Sequence, residues 1–146
     1  MLFLLFQIGS GRYAIEASRV VEVLPLIRVD EVPHAPAGMA GVFCYRGEPL
    51  PVIDLSSIIL NRPAAQKLST RILVVNTSGG KRIGLIAERA NETMKRERAD
   101  FMETGAALEG TPYIGPATRD DRGFVLWIDP DKLPGSASLH RIVEAA

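Results

Sequence analysis

Apolar positions along this chain come in short runs broken by glycine, proline or charge, and none holds a helical period for more than a turn or two. Leu2 to Ile8 and Arg12 to Ile15 flank Gly9-Ser10-Gly11, which predicts an antiparallel hairpin with a short glycine-bearing loop. From Ala17 to Leu24, the residues Val20, Val23 and Leu24 fall at i, i+3 and i+4, the pattern of one helical turn feeding a strand. Pro25, Pro33 and Pro36 exclude a long helix or central strand before Ala40, so this segment is expected to wrap the outside. Gly41 to Tyr45 and Leu50 to Ile53 read as strands about Arg46-Gly47-Glu48. Asp54 is placed to cap a short helix through Ile59, and Asn61 to Ser69 is a polar connection.

The pattern then begins again. Arg71 to Thr77, Ser78-Gly79-Gly80 and Arg82 to Ala87 reproduce the opening hairpin, and RYAIEASRV from Arg12 aligns on RIGLIAERA from Arg82. Near the end GFVLWID, Gly123 to Asp129, echoes PLPVID, Pro49 to Asp54, with Pro130 at the first helical position. Many short strands, glycine turns and little helix predict a mainly β chain of two small antiparallel barrels, each closing its own sheet edges. Ser136 to Ala146 is expected to form a terminal helix with Leu139, Ile142 and Val143 on one face.

Charge narrows the function classes. Lys plus Arg and Asp plus Glu both count 17, so no bulk positive field exists to draw in a phosphate backbone, and nucleic acid is a poor partner. Cys44 is the only cysteine and lies in an apolar run, which reads as a buried, inert thiol and suits the cytosol. MLFLLFQI lacks a basic leader and turns polar at Gln7, so it is read as a first strand rather than a signal peptide. No segment approaches the roughly 20 apolar residues that span a bilayer.

Candidate chemistry fails to assemble. His34, His140 and Cys44 have no metal-ligand spacing. Asp54 and Asp129 each end an apolar strand, where an acid and a base often sit, but their matched places in the two copies make helix caps the better account. Gly9-Ser10-Gly11 is a turn rather than a phosphate loop, Met94 to Arg98 is a mixed-charge solvated face, and Trp127 is core. With no catalytic set and no cofactor motif, the chain reads as a binding module.

FQIGSGRYAIEASRVVEV, the prolines Pro33 and Pro36, GVFCYRGEPLPVIDL and the RILVVN to KRIGLIAE hairpin together resemble the CheW-like coupling-protein family of bacterial chemosensory arrays. The resemblance covers nearly the whole chain and is most specific in G-V-x-x-x-R-G-x-x-L-P-V-I-D-L, Gly41 to Leu55. It implies two SH3-like barrels in a single domain, one over about residues 12–62 and one over about 70–130, with the N-terminal strand and C-terminal helix exchanged between them. It implies a non-catalytic, cofactor-free adaptor that bridges a chemosensory histidine kinase, through that kinase's CheW-like regulatory domain, to the cytoplasmic tip of a methyl-accepting receptor. Such an adaptor is cytoplasmic and is recruited to membrane-associated arrays without inserting in the bilayer.

By the same resemblance, a receptor helical hairpin lies in a groove lined by Ala17, Val20, Val23, Arg46 and Ala90. Glu22 is expected to meet Arg46 in a bidentate pair across neighbouring strands. Two other readings stay open: a self-associating array scaffold that binds no receptor, and a β-barrel that binds a small ligand.

Overall fold

The computed structural model describes residues 1–105 and 110–133. The expected terminal helix with Leu139, Ile142 and Val143, and also His140, lie outside the described residues. Among the described residues the strands are β1 (Leu2–Ile8), β2 (Gly11–Glu16), β3 (Val20–Pro25), β4 (Met39–Tyr45), β5 (Glu48–Asp54), β6 (Thr70–Asn76), β7 (Arg82–Lys95), β8 (Ile114–Asp120) and β9 (Gly123–Ile128), with one short α-helix, α1 (Leu55–Leu60). The helical turn expected near residue 20 is a 3-10 turn over Ala17–Arg19, and Val20, Val23 and Leu24 belong to β3 instead. Their i, i+3, i+4 spacing coincides with a helix, but β-branched valines beside the open edge of β6 take the extended form.

The strands group by pairing. In the first group, β3 runs antiparallel to β6 and β6 antiparallel to β7, while β5 pairs parallel with β7 and antiparallel with β4. The segment that follows β3 meets β4 at an isolated bridge, where Asp30 and Val42 exchange two backbone hydrogen bonds of 2.8 Å. In the second group, β7 and β2 flank β1 antiparallel, β2 pairs parallel with β9, and β9 pairs antiparallel with β8. The segment that follows β7 meets β8 at the Met102–Ala117 bridge, again through two bonds of 2.8 Å. Each group is an SH3-like barrel, and together they make the mainly β architecture that the repeat predicts.

β7 serves both groups. Residues 82–88 pair with β6 and residues 88–95 with β1. Between the two stretches Arg89 takes φ 52° and the β1 register slips between Leu5 and Gln7, a bulge that bends one long strand from one barrel into the other. The pairing repeats residue for residue: Val52 stands opposite Gly84 in one group and Trp127 opposite Ala14 in the other. The opening hairpin therefore holds in the second group the place that β6 and β7 hold in the first.

This arrangement explains why so many runs are apolar without alternation. On β1, Leu4, Phe6 and Ile8 face a core shared by both barrels, while Phe3 and Leu5 face the second barrel's interior beside Trp127 and Val125. On β6, Leu73 and Val75 face the shared core, while Ile72 and Val74 face the first interior. Strands buried on both faces need apolar residues at every position. Trp127 is core as expected, with Phe3 edge-on at 4.9 Å and Phe101 at 5.0 Å.

Asp54 and Asp129 are caps. Asp54 accepts hydrogen bonds from the N–H groups of Ser56, at 3.0 Å, and Ala64, at 2.9 Å; Asp129 accepts one from Asp131, at 3.0 Å. Cys44 corrects its expectation: it is exposed. β4 is an outer strand, and because Tyr45 is buried toward the first interior, the alternating residue before it faces outward.

Candidate functional site

The β4–β5 hairpin closes on Arg46-Gly47, both at positive φ, 51° and 83°, as a two-residue turn matched to strand twist requires. The turn aims the Arg46 side chain back at β3. Its Nη2 donates to Glu22 Oε1 at 3.2 Å, and the Tyr45 hydroxyl donates to the same oxygen at 2.6 Å. The guanidinium also sits 5.1 Å from the centre of the Tyr45 ring. The hydrogen bond to the Glu22 carboxylate, with burial second, pushes the Tyr45 phenol above its ordinary range.

Two details of the expected pair are corrected. β3 and β4 are not paired neighbours but the outer strands of the first group, so the contact spans the seam where the barrel's edges meet. It is also a single contact rather than a bidentate one, with side chains 61% and 39% exposed. Solvent screens such a pair, so a double-mutant cycle of Arg46→Ala and Glu22→Gln in urea denaturation is expected to give at most about 1 kcal/mol of coupling. A coupling well above that value would show that the seam is desolvated and the exposed reading is wrong.

The two faces of β3 do different things. Val20 stands opposite Val75 and Val23 opposite Leu73, residues of the shared core, whereas Glu22 stands opposite Val74, which faces the first interior. Val20 is half-buried against the shared core and Val23 is 38% exposed. Ala17 is half-buried in the 3-10 turn before them, and Ala90 is buried within the shared core. Of the six residues singled out, Glu22 and Arg46 come together with Tyr45, Ala17, Val20 and Val23 lie in the turn and along the opposite face of β3, and Ala90 is core.

The sequence reading missed Tyr45 and the second barrel's counterpart of this contact. Glu92 stands opposite Leu5 as Glu22 stands opposite Val74, and Arg122, at the tip of the β8–β9 hairpin, donates to Glu92 Oε2 at 2.8 Å. A signal existed: extending the repeat alignment by two residues matches Arg19-x-x-Glu22 to Arg89-x-x-Glu92. Each barrel also carries a cleft beside its capping aspartate. One, of about 690 Å³, is lined by Ile27, Val29, Met39 and Ser57 beside Asp54; the other, of about 590 Å³, is lined by Arg19, Ile114 and Trp127 beside Asp129.

A family model described as a CheW-like domain matches residues 2–137. The chain belongs to the CheW-like family. It is a coupling adaptor of chemosensory signalling, and the family is non-catalytic. A chemotaxis protein CheW of Treponema pallidum is 26% identical over 143 residues, which cover 94% of this chain and 84% of that protein. Protein FrzA of Myxococcus xanthus is 33% identical over 86 residues, 59% of this chain and 53% of FrzA. The crystal structure of the scaffolding protein TtCheW from Thermoanaerobacter tengcongensis superposes with a TM-score of 0.79 at 20% identity, over 92% of this chain and 86% of that one, a likeness of fold.

Proposed function

We propose that this CheW-like chain couples a chemosensory histidine kinase to the cytoplasmic tip of a methyl-accepting receptor, and that it does so through separate surfaces. The observation that carries the reading is the exposure of Val23 on the face of β3 that borders the core shared by the two barrels. An apolar strip of this kind, with Ala17 and Val20 beside it, suits the apolar face of an amphipathic helix. The kinase's own CheW-like regulatory domain, built of similar barrels, meets a barrel end. Recruitment to a membrane array runs, on this reading, through the receptor; among the described residues no helix is long and apolar enough to cross a membrane.

Val23→Asp tests the separation more cleanly than Val20→Asp, because Val20 packs against the shared core and its replacement would disturb the fold. A carboxylate at position 23 would be desolvated without a partner when the helix docks. Affinity for a receptor-tip helical hairpin is therefore expected to fall roughly 30-fold or more. Affinity for the kinase regulatory domain and the melting temperature are expected to stay near those of the unaltered chain. A parallel fall in both affinities would mean one shared surface. An unchanged hairpin affinity, with mass rising with concentration, would favour the self-associating scaffold.

A further inference from the structure

The 3-10 turn Ala17–Arg19 leads into β3, yet it contains no buried residue and no side-chain cap. Arg19 holds it in place. Its Nε donates to the carbonyl of Asn76 at 2.8 Å, and its Nη2 donates to Asp131 Oδ1 at 2.8 Å. Asp131 lies in the 3-10 turn Pro130–Lys132 that follows β9, in the other barrel. Its carboxylate also accepts the backbone N–H of Ser78, at 2.7 Å, and the Ser78 hydroxyl, both from the turn between β6 and β7. One carboxylate thus joins three turns, at residues 17–19, 77–81 and 130–132, that themselves lie outside the strand ladders, and the Arg19 and Asp131 side chains are only 23% and 27% exposed. Burial works to raise the Asp131 pKa, but the Ser78 hydrogen bonds and Arg19 outweigh it and hold the carboxyl below its ordinary value.

The barrels themselves are held by the shared apolar core, to which both contribute large buried side chains such as Phe6, Ile15, Leu73 and Leu85. The polar network is therefore not what keeps the barrels together, and its effect is local. We propose that Asp131, acting through Arg19, is a positioning residue that fixes the wall formed by Ala17 to Val20 for helix docking; the inference rests on the docking reading above. With the carboxylate removed, Arg19 keeps its bond to Asn76 but loses its anchor on the second barrel, and the turn has no fully buried side chain of its own to hold it.

Two measurements on the full chain test this: hydrogen exchange of the amides at residues 17–20 and 77–81, and titration with a receptor-tip helical hairpin. In Asp131→Ala, exchange at both segments is expected to rise about tenfold, and hairpin affinity to fall by a similar factor, the scale of one charge-assisted hydrogen bond. Arg19→Lys keeps the charge but cannot make both bonds, so it should lie between the two. Asp120→Ala, a change to an ion pair at the other end of β8, should leave hairpin affinity alone even though it lowers stability. Unchanged exchange at residues 17–20 would overturn the proposal. So would faster exchange with undiminished hairpin affinity, since the wall would then move without consequence. If the unaltered chain fails to bind the hairpin, the docking reading falls, and the exchange result alone supports or overturns the anchoring of the turn.

Discussion

Asp120→Ala is expected to lower stability by about 1–3 kcal/mol, which is roughly 3–10 °C in melting temperature for a chain of this size. Both Asp120 oxygens receive Arg12 nitrogens at 2.7 Å, and the two side chains are only 14% and 19% exposed. Oδ1 accepts the Arg122 N–H as well, at 2.9 Å. The pair spans β9, because Arg12 stands on β2 and Asp120 ends β8, one on either side of it. Removing the carboxylate would leave a largely desolvated guanidinium with nothing to replace a two-pronged contact. Arg12→Lys is expected to recover only part of the loss, since an ammonium cannot reproduce the fork.

The same pair sets an acid dependence. The Arg12 hydrogen bonds, against an opposing burial effect, hold the Asp120 carboxyl far below its ordinary value of 3.8. A carboxyl with a depressed folded pKa contributes stability that is fully present above the unfolded value and is lost as pH falls below it. The gap between unaltered and Asp120→Ala chains in urea denaturation should therefore be widest at neutral pH and narrow below about pH 4. Equal stabilities at neutral pH would mean that the pair contributes nothing.

Gly41→Ala is expected to be the more damaging change. Gly41 has φ +155° and lies at the bulge where the β4 register slips against β5. A Cβ there would sit 2.3 Å from the backbone oxygen of Asp30, which accepts the Val42 N–H in the bridge that ties the segment after β3 to β4. Neither atom belongs to a flexible side chain, so relief requires that bridge to open. The expected cost is about 3 kcal/mol or more, from backbone strain together with loss of the two hydrogen bonds of that bridge. Gly47→Ala is the matched comparison: Gly47 has φ +83° but nothing within 4 Å of its would-be Cβ, so only the conformational penalty of about 1–2 kcal/mol applies. Thermal melts of the two variants decide the matter, and a Gly41→Ala chain no less stable than Gly47→Ala would show that the Asp30 approach is not tight.

The hairpins, the caps and the repeat were legible in the sequence because each is written within a few residues. Gly9-Ser10-Gly11 makes its turn, Asp54 and Asp129 bond to the backbone two residues on, and an apolar strand ending in Ile-Asp recurs wherever the chain turns the same corner. The resemblance then led to the family and to the Glu22–Arg46 contact, though not to Tyr45, whose hydroxyl shares that carboxylate. Only the tertiary structure decided that Cys44 faces outward, that Ala90 is core, and that Val23 and Glu22, adjacent in sequence, serve opposite faces of β3. It also decided the ion pairs that join distant segments, Arg12 with Asp120 across 108 residues and Arg19 with Asp131 across 112. Local periodicity cannot supply these, because strands buried on both faces are apolar throughout and carry no mark of which face meets which core. That assignment is settled by register and burial among segments far apart in the chain, where one residue of slip exchanges every inward side chain for an outward one.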